Sequence, residues 1–423
     1  MLDIKFIREH VDEVKENMLR KNRTDVSLID DVLSLDEKYR SLLTQEQDLR
    51  SQRNKLSEQV NKEKKAGNDI TPLIAQVKAI PAQIKELTEQ TTALKGELRV
   101  LLKKIPNIMH ANVPPGVSDD DNVELRQIGS FVERDVKPHQ EITESLGLSD
   151  FESSATTSGN GFYYIQGDLA LLNQALLRFA TEIMVKNGFT YVETPLMIRK
   201  DIVENVVSLA DQDEQIYKIE NEDLYLIGTS EHSLIGRYVQ KTVEESQLPL
   251  LQTSYSMCFR REKGSHGLDE RGLFRTHQFN KIEMIAICKP AESLSLYKKL
   301  QDITLDIFTQ LEIPIRVLQI CAGDLGDLKH DQVDIEAYSP RKKGWIEVGS
   351  CSNLTDAQAR MLGITVKSNV ERYTPHTLNN TAIATSRALV AILENNQNED
   401  GTVTIPQVLV PYMFGKTQLE ASK

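Results

Sequence analysis

Four leucines recur at seven-residue intervals, Leu35, Leu42, Leu49 and Leu56, with Tyr39 and Val60 at intermediate positions. Such a stripe lies along one side of an α-helix and needs a partner helix to cover it. The pattern breaks at Ala66-Gly67-Asn68-Asp69 and then resumes. Leu73, Val77, Ile80, Ile84, Leu87, Thr91, Leu94, Leu98, Leu101 and Ile105 follow in steps of four and three. Two seams joined by a short glycine-containing turn predict an antiparallel coiled-coil hairpin. A limb of about 35 residues reaches roughly 50 Å, more than the width of a small domain, so the hairpin is expected to project into solvent. Pro81 removes a backbone donor and should kink the second limb.

The hairpin differs in charge from the rest of the chain. The whole sequence of 423 residues carries a formal charge of −12, yet residues 31–105 hold 14 Lys and Arg against 11 Asp and Glu. Near the turn, Arg50, Arg53, Lys55, Lys62, Lys64 and Lys65 face only Glu58 and Glu63. Two readings fit: a solvated spacer, or an arm whose basic tip grips a phosphate backbone. The acidic total argues against a protein that coats nucleic acid indiscriminately.

The segment NVPPGVSDDDN at 112–122 has the composition of a domain boundary, which sets the expected division at 1–110 and 111–423. Beyond it, short alternating stretches (FYYIQG, FTYVETPLM, LYLIGTS, SYSMCFRRE) are interleaved with helical ones such as 169–185. That texture predicts an α+β domain on a mostly antiparallel sheet. No apolar run approaches the roughly 18 residues of a membrane span. The acidic N-terminal segment resembles neither a signal nor a transit peptide. Cys258, Cys288, Cys321 and Cys351 form no CxxC pair, so they are expected to be reduced thiols in an intracellular, cytoplasmic protein.

The densest chemistry lies in FRREKGSHGLDERGLFRTHQFNKIEM, Phe259 to Met284. Strand alternation puts Tyr255, Met257 and Phe259 on one face and Cys258, Arg260 and Glu262 on the other. On the return strand Phe279, Lys281 and Glu283 share a face. Arg260, Glu262, Phe279 and Glu283 should therefore gather together. An aromatic plate can stack on a purine, guanidinium groups hold phosphate oxygens in forked hydrogen bonds, and carboxylates accept from an amino group or hydroxyl. A charged surface hairpin with chance arginines is the plain alternative.

This segment closely resembles the second signature motif of class II aminoacyl-tRNA synthetases, in the form found in seryl-tRNA synthetases. The resemblance runs along the chain through TTSGNGFYYIQGDLALLNQAL, GFTYVETPLMI (motif 1), TSE, CAGDLG, WIEVGSCSNLTDAQARM and HTLNNTAIATSRALVAILENNQ (motif 3). It implies a class II antiparallel sheet flanked by helices, an N-terminal tRNA-binding arm, and a homodimer built through motif 1, where Gly188, Phe189 and Pro195 are structural. It also implies ATP, Mg²⁺, L-serine, tRNA(Ser) and, where present, tRNA(Sec) as partners. The common zinc-free type is meant.

Carried over residue by residue, Arg260 resembles the arginine bridging the α-phosphate and the amino-acid carboxylate. Glu262 resembles the acceptor for the adenine amino group, and Phe279 the adenine stack, with Thr276, His277 and Gln278 along that edge. Arg275 resembles a γ-phosphate contact, and Arg387 the motif 3 arginine on the triphosphate. Glu347 and Ser350, in a run with Val348 and Gly349, resemble the ligands of the ATP-bound Mg²⁺. Thr229 and Glu231, flanking Ser230, would hold the serine ammonium; Glu283 and Thr381, with Asn379 nearby, would read its hydroxyl. Arg261 and Arg271 are loop arginines facing tRNA or water. His266 and His277 are expected in loop and packing roles, His10 and His110 carry no signal, and Trp345 packs beside Glu347.

The chain departs from the family at Ser230 for alanine, at Asn379-Asn380-Thr381 for asparagine-glycine-serine, at Ala384-Thr385-Ser386, and at Pro81. None removes a charged group. Two other classes remain to be tested: a non-catalytic RNA-binding or regulatory protein keeping the fold, and an armless-type relative that loads serine onto a carrier protein.

Overall fold

The computed structural model describes residues 1–207, 215–262 and 272–421. Arg271 and His266 lie outside the described residues. The chain divides into two compact units, Met1–Pro106 and Asn107–Lys423. The division falls before the proline-rich segment because Met109 and Val113 are buried with Ile320, Ala322 and Leu325 in the second unit.

In the first unit, α1 (Ile4–Glu9) and α2 (Val11–Arg20) precede two long helices, α3 (Ser27–Lys65) and α4 (Thr71–Leu102). At 39 residues, α3 is about 58 Å long. Gly67, at φ +75°, turns the chain where a side chain is disfavoured. The helix continues through Pro81, flanked by the buried Ile80 and Ile84.

The seam carries a buried charge that the leucine repeat does not advertise. Glu46 occupies the position between Leu42 and Leu49 and is buried. It accepts from Arg50 Nε at 3.0 Å, from Thr88 Oγ1 at 3.0 Å and from Thr91 Oγ1 at 3.3 Å on the opposite helix. The hydrogen bonds of Arg50 and then Thr88 hold its carboxyl below the usual carboxylate range. A polar group at one seam position fixes register, because any slip leaves it unsatisfied. Asp36 serves similarly near the base, 2.8 Å from Arg40 and 3.6 Å from Arg8 of α1.

The second unit is built on an eight-stranded sheet. Its strands are β1 (Val123–Ile128), β2 (Thr190–Tyr191), β3 (Leu250–Phe259), β4 (Gln278–Cys288), β5 (Ile315–Gln319), β6 (Asp331–Ser339), β7 (Gly344–Thr355) and β8 (His376–Ala384). They run in the order β1-β5-β6-β7-β8-β4-β3-β2. Every pairing is antiparallel except β2 on β3. This is the α+β arrangement expected from the alternating stretches.

The two faces of β4 have different surroundings. Ile282, Met284, Ala286 and Cys288 enter the main core beneath the helices α5 (Gly167–Lys186), α7 (Ser293–Gln310) and α8 (Thr385–Asn395). On the other face, Ile285 and Ile287 pack with Leu234 and Ile235 of α6 (Ser230–Gly236) in a smaller core. Lys281 and Glu283 share that second face and are buried. Among the described residues, no helix is long and apolar enough to cross a membrane.

The register role of Glu46 predicts that Glu46→Ala, which strands Arg50, Thr88 and Thr91, speeds amide exchange in the surrounding turns of α3 and α4 by about tenfold. Hydrogen–deuterium exchange on the full chain checks it; unchanged protection would show that the leucine seam sets register unaided.

Candidate active site

The β3–β4 pairing sets Cys258 against Phe279, Ser256 against Lys281 and Ser254 against Glu283. Small residues on β3 thus leave room above the large ones on β4. Lys281 Nζ forms an ion pair with Glu283 and donates to Thr229 Oγ1 at 3.2 Å. Thr229 caps α6, accepting from the Glu231 amide at 3.4 Å. The cap places Glu231 in the first helical turn, where Gln358 Nε2 donates to its Oε1 at 2.8 Å. Burial, and after it the nearby charge of Glu283, pushes the Glu231 carboxyl up to about 7. His232 beside it is driven down to about 3 by burial and the positive Arg260 and Lys281, so it stays neutral.

Two strand bulges decide what else reaches this floor. On β8 the register shifts between Thr381 and Ile383. Thr381 therefore lies opposite Glu283 while Ile383 lies opposite Ile282, on the core side. Asn379 follows Thr381 onto the site face. Asn380 points the other way, donating to the Leu300 carbonyl and Thr304 Oγ1, each at 2.8 Å. Ser230 also turns away from the site, donating to the Ser254 carbonyl at 3.2 Å.

The second bulge lies on β7, where Gly349 pairs with Ile335 but Glu347 pairs with Glu336. A separation of three residues would normally put Glu347 and Ser350 on opposite faces. The bulge returns both to one face, beside Asp334, the cross-strand partner of Ser350. Val348 enters the core, and Gly349 permits close approach to Thr304 and the Thr381 carbonyl, which an added Cβ would meet at 3.4 Å. Gln332 Nε2 bridges Asp334 Oδ1 at 2.7 Å and Ser350 Oγ at 2.9 Å. Arg387 donates to the Glu347 carbonyl and Oε2 at 2.8 and 2.9 Å, and its charge holds that carboxyl below the usual range. Burial, then the charge of Glu347, raises Asp334 to about 7. Two acidic groups and a hydroxyl, all oxygen donors, fit a hard divalent cation that would relieve this crowding.

At the other end of β3, the Arg260 guanidinium lies 5.5 Å from the centre of the Phe279 ring, and its Nε donates to the Gly228 carbonyl at 3.4 Å. The adjoining Glu262 adopts φ +44°, unusual for a residue with a side chain, and lies 3.6 Å from Arg275. The Arg261 amide donates to the Gln215 carbonyl at 2.9 Å. Thr276 is buried and donates to the Gln278 carbonyl, whereas Gln278 Nε2 donates to the Met257 sulfur at 3.5 Å. His277 is used structurally: Nδ1 lies 2.9 Å from the Arg260 carbonyl and 3.0 Å from Tyr217 Oη, and its ring stacks on Phe162. The structure thus gathers Arg260, Glu262, Arg275 and Phe279 at one end, with Thr229, Glu231, Glu283 and Thr381 on the floor. Trp345 packs against Phe131 and Tyr338.

Lys281, Gln358 and Asp334 were not singled out by motif. Strand alternation did put Lys281 on the site face; Gln358 and Asp334 approach from separate segments and left no local signal. In the first unit, Lys55, Lys62, Lys64 and Lys65 are exposed, the last three in the final turn of α3. Arg50 is committed to Glu46, and Arg53 falls at the next seam position, half-buried.

Comparison with known proteins fits this geometry. Residues 1–109 match the family model for the seryl-tRNA synthetase N-terminal domain, and 216–396 that for the tRNA synthetase class II core domain (G, H, P, S and T). The serine–tRNA ligase of Methanospirillum hungatei is 44% identical over 98% of this chain and 99% of its own. The seryl-tRNA synthetase of Pyrococcus horikoshii, solved with ATP, superposes with a TM-score of 0.91 at 39% identity, covering all of both chains. The cytoplasmic serine–tRNA ligase of Naegleria fowleri, solved with AMP, gives 0.87 at 31% identity over 100% of this chain and 99% of that one. The chain belongs to the seryl-tRNA synthetase family.

Proposed function

We infer that the protein is a serine–tRNA ligase that activates L-serine with ATP and transfers it to tRNA(Ser), and to tRNA(Sec) where the host has one. The observation that carries the site assignment is the floor formed by Thr229, Glu231, Lys281 and Glu283. It holds two carboxylates around one lysine, which suits a small ligand bearing an ammonium and a hydroxyl.

In this reading Glu231 and Thr229 take the ammonium, and Glu283 and Thr381 take the hydroxyl. An alanine or glycine would leave those buried groups unpaired, which is a strong basis for rejection. Threonine would be excluded by lack of room for its methyl. Arg260 lies between the serine carboxylate and the α-phosphate and offsets the repulsion between two anions. A carboxylate oxygen attacks the α-phosphorus, the bond to the β-phosphate bridging oxygen breaks, and pyrophosphate leaves. Arg275 and Arg387 hold the departing phosphates, with Phe279 and Glu262 on the adenine. Glu347 and Ser350, with Asp334 beside them, would hold Mg²⁺, which neutralises phosphate charge when bound. Positioning and electrostatics carry the step without a protein base. A terminal ribose hydroxyl of the tRNA then attacks the seryl carbonyl, and AMP leaves.

The exposed cations at the far end of α3 (Lys55, Lys62, Lys64 and Lys65) are the proposed tRNA contacts, with Arg50 and Arg53 contributing through the seam. The half-exposed Tyr191, Leu196 and Met197 of motif 1 support a homodimer through that surface. A cytoplasmic location is consistent with the relative from Naegleria fowleri.

Serine-dependent ATP–pyrophosphate exchange followed by acylation of serine tRNA tests this reading. Arg260→Ala is expected to lower exchange at least about 100-fold; near-normal exchange would remove its phosphate role. Replacing residues 35–100 by a short linker should leave exchange within about threefold while cutting tRNA charging by about 100-fold or more. Equal loss of both steps would assign the arm to folding. Exchange without charging in the intact chain would favour loading of a carrier protein, and neither activity a regulatory role.

A further inference from the structure

The motif 3 helix α8 carries a second charged residue that the site assignment leaves unused. Glu394 is fully buried, and its partners come from separate segments. Ser339 donates its hydroxyl to Oε2, Arg341 donates Nε to Oε1 at 3.2 Å, and His139 Nδ1 lies 3.4 Å from Oε1. Burial alone would push this carboxyl up, but the hydrogen bonds of His139 and Ser339 hold it below the usual range. Ser339 Oγ also accepts from the Lys342 amide at 3.2 Å, tying the β6–β7 turn to the same hub.

His139 spends its other nitrogen elsewhere. The Leu273 amide donates to Nε2 at 3.1 Å, so Nε2 is a bare acceptor and the ring proton sits on Nδ1, facing Glu394. Gly272 makes the approach feasible: its φ is +79°, and an added Cβ would stand 2.5 Å from Nε2. Leu273 is buried. The Phe274 ring that follows lies under two cations, Lys342 at 4.5 Å and Arg387 at 5.4 Å from its centre. Arg275 comes next, 3.6 Å from Glu262. Arg387 and Glu394 are seven residues apart, about two turns, and so share one side of α8.

We propose that His139 and Glu394 form a positioning clamp for the ATP site. Through the Leu273 amide they fix residues 272–275, so that Phe274 seats against Arg387 and Arg275 is presented to the triphosphate. The inference rests on the phosphate roles of Arg275 and Arg387 given above, and adds two residues that touch no substrate. Helix α8 then holds the segment at two points, directly by Arg387 on Phe274 and indirectly by Glu394 through His139.

The test uses the full chain with His139→Leu, His139→Gln and Arg275→Ala. Pyrophosphate exchange gives KM for ATP and for serine, and hydrogen–deuterium exchange follows the Leu273 amide. His139→Leu should raise the ATP KM about tenfold, with serine KM within about twofold and Leu273 exchange about tenfold faster. His139→Gln, whose side-chain oxygen can accept from Leu273, should recover most of the ATP KM. Unchanged ATP KM in His139→Leu would overturn the proposal. So would equal rises in both KM values, in both variants, together with a lowered melting temperature, since that marks general support. Arg275→Ala with an unaltered ATP KM would instead overturn the phosphate reading on which the clamp depends.

Discussion

One lysine and two carboxylates share the floor of the catalytic unit, and the surrounding elements hold them there. Lys281 is ion-paired to Glu283 and bonded to Thr229, while Glu231 accepts from the side-chain amide of Gln358. Such a trio is costly to bury unless each member is satisfied. The β3–β4 register, the Thr229 cap of α6 and the β8 bulge at Thr381 each fix one side of it. Burial, and after it the charge of Glu283, pushes the Glu231 carboxyl up to about 7, and in the proposed reading this is the group that a bound ammonium would satisfy.

The remaining charges are arranged on the same logic of partial compensation. Arg387 is held by Glu347, Arg275 lies near Glu262, and Arg260 rests on Phe279. Each cation has a local partner that orients it. In the proposed reading a triphosphate would meet arginines already in place, the preorganisation on which electrostatic catalysis depends. Asp334 and Glu347 lie to one side, where in the proposed reading they and Ser350 would hold a divalent cation that offsets phosphate charge.

Much of this was legible in the sequence because it depends on short periods. Steps of three and four marked the hairpin, and alternation put Phe279, Lys281 and Glu283 on one face. What alternation could not show is where it fails. The spacing of Glu347 and Ser350 is wrong for a regular strand, and only the bulge at Val348–Gly349 brings them together. Thr381 and Asn380 have similar polarity, yet one faces the site and the other α7. Glu46 carries no local signal of its burial because its partners Thr88 and Thr91 lie more than forty residues away. Gln358, Asp334 and His139 were hidden for the same reason, since tertiary pairing leaves no trace in local spacing.

The central claim is that serine supplies the missing positive charge of the Glu231–Lys281–Glu283 floor. With its carboxyl raised to about 7, Glu231 is mostly protonated in the free protein at pH 6.5. A bound ammonium favours the ionised form, so the proton must leave, and the release must fade as the pH rises above the raised value. Calorimetric titration of serine at pH 6.5, in buffers of different ionisation enthalpy, measures this directly. The account predicts release of roughly 0.5–0.8 proton per site, lost in Glu231→Gln. Serine binding with no proton release, or with uptake, would contradict it.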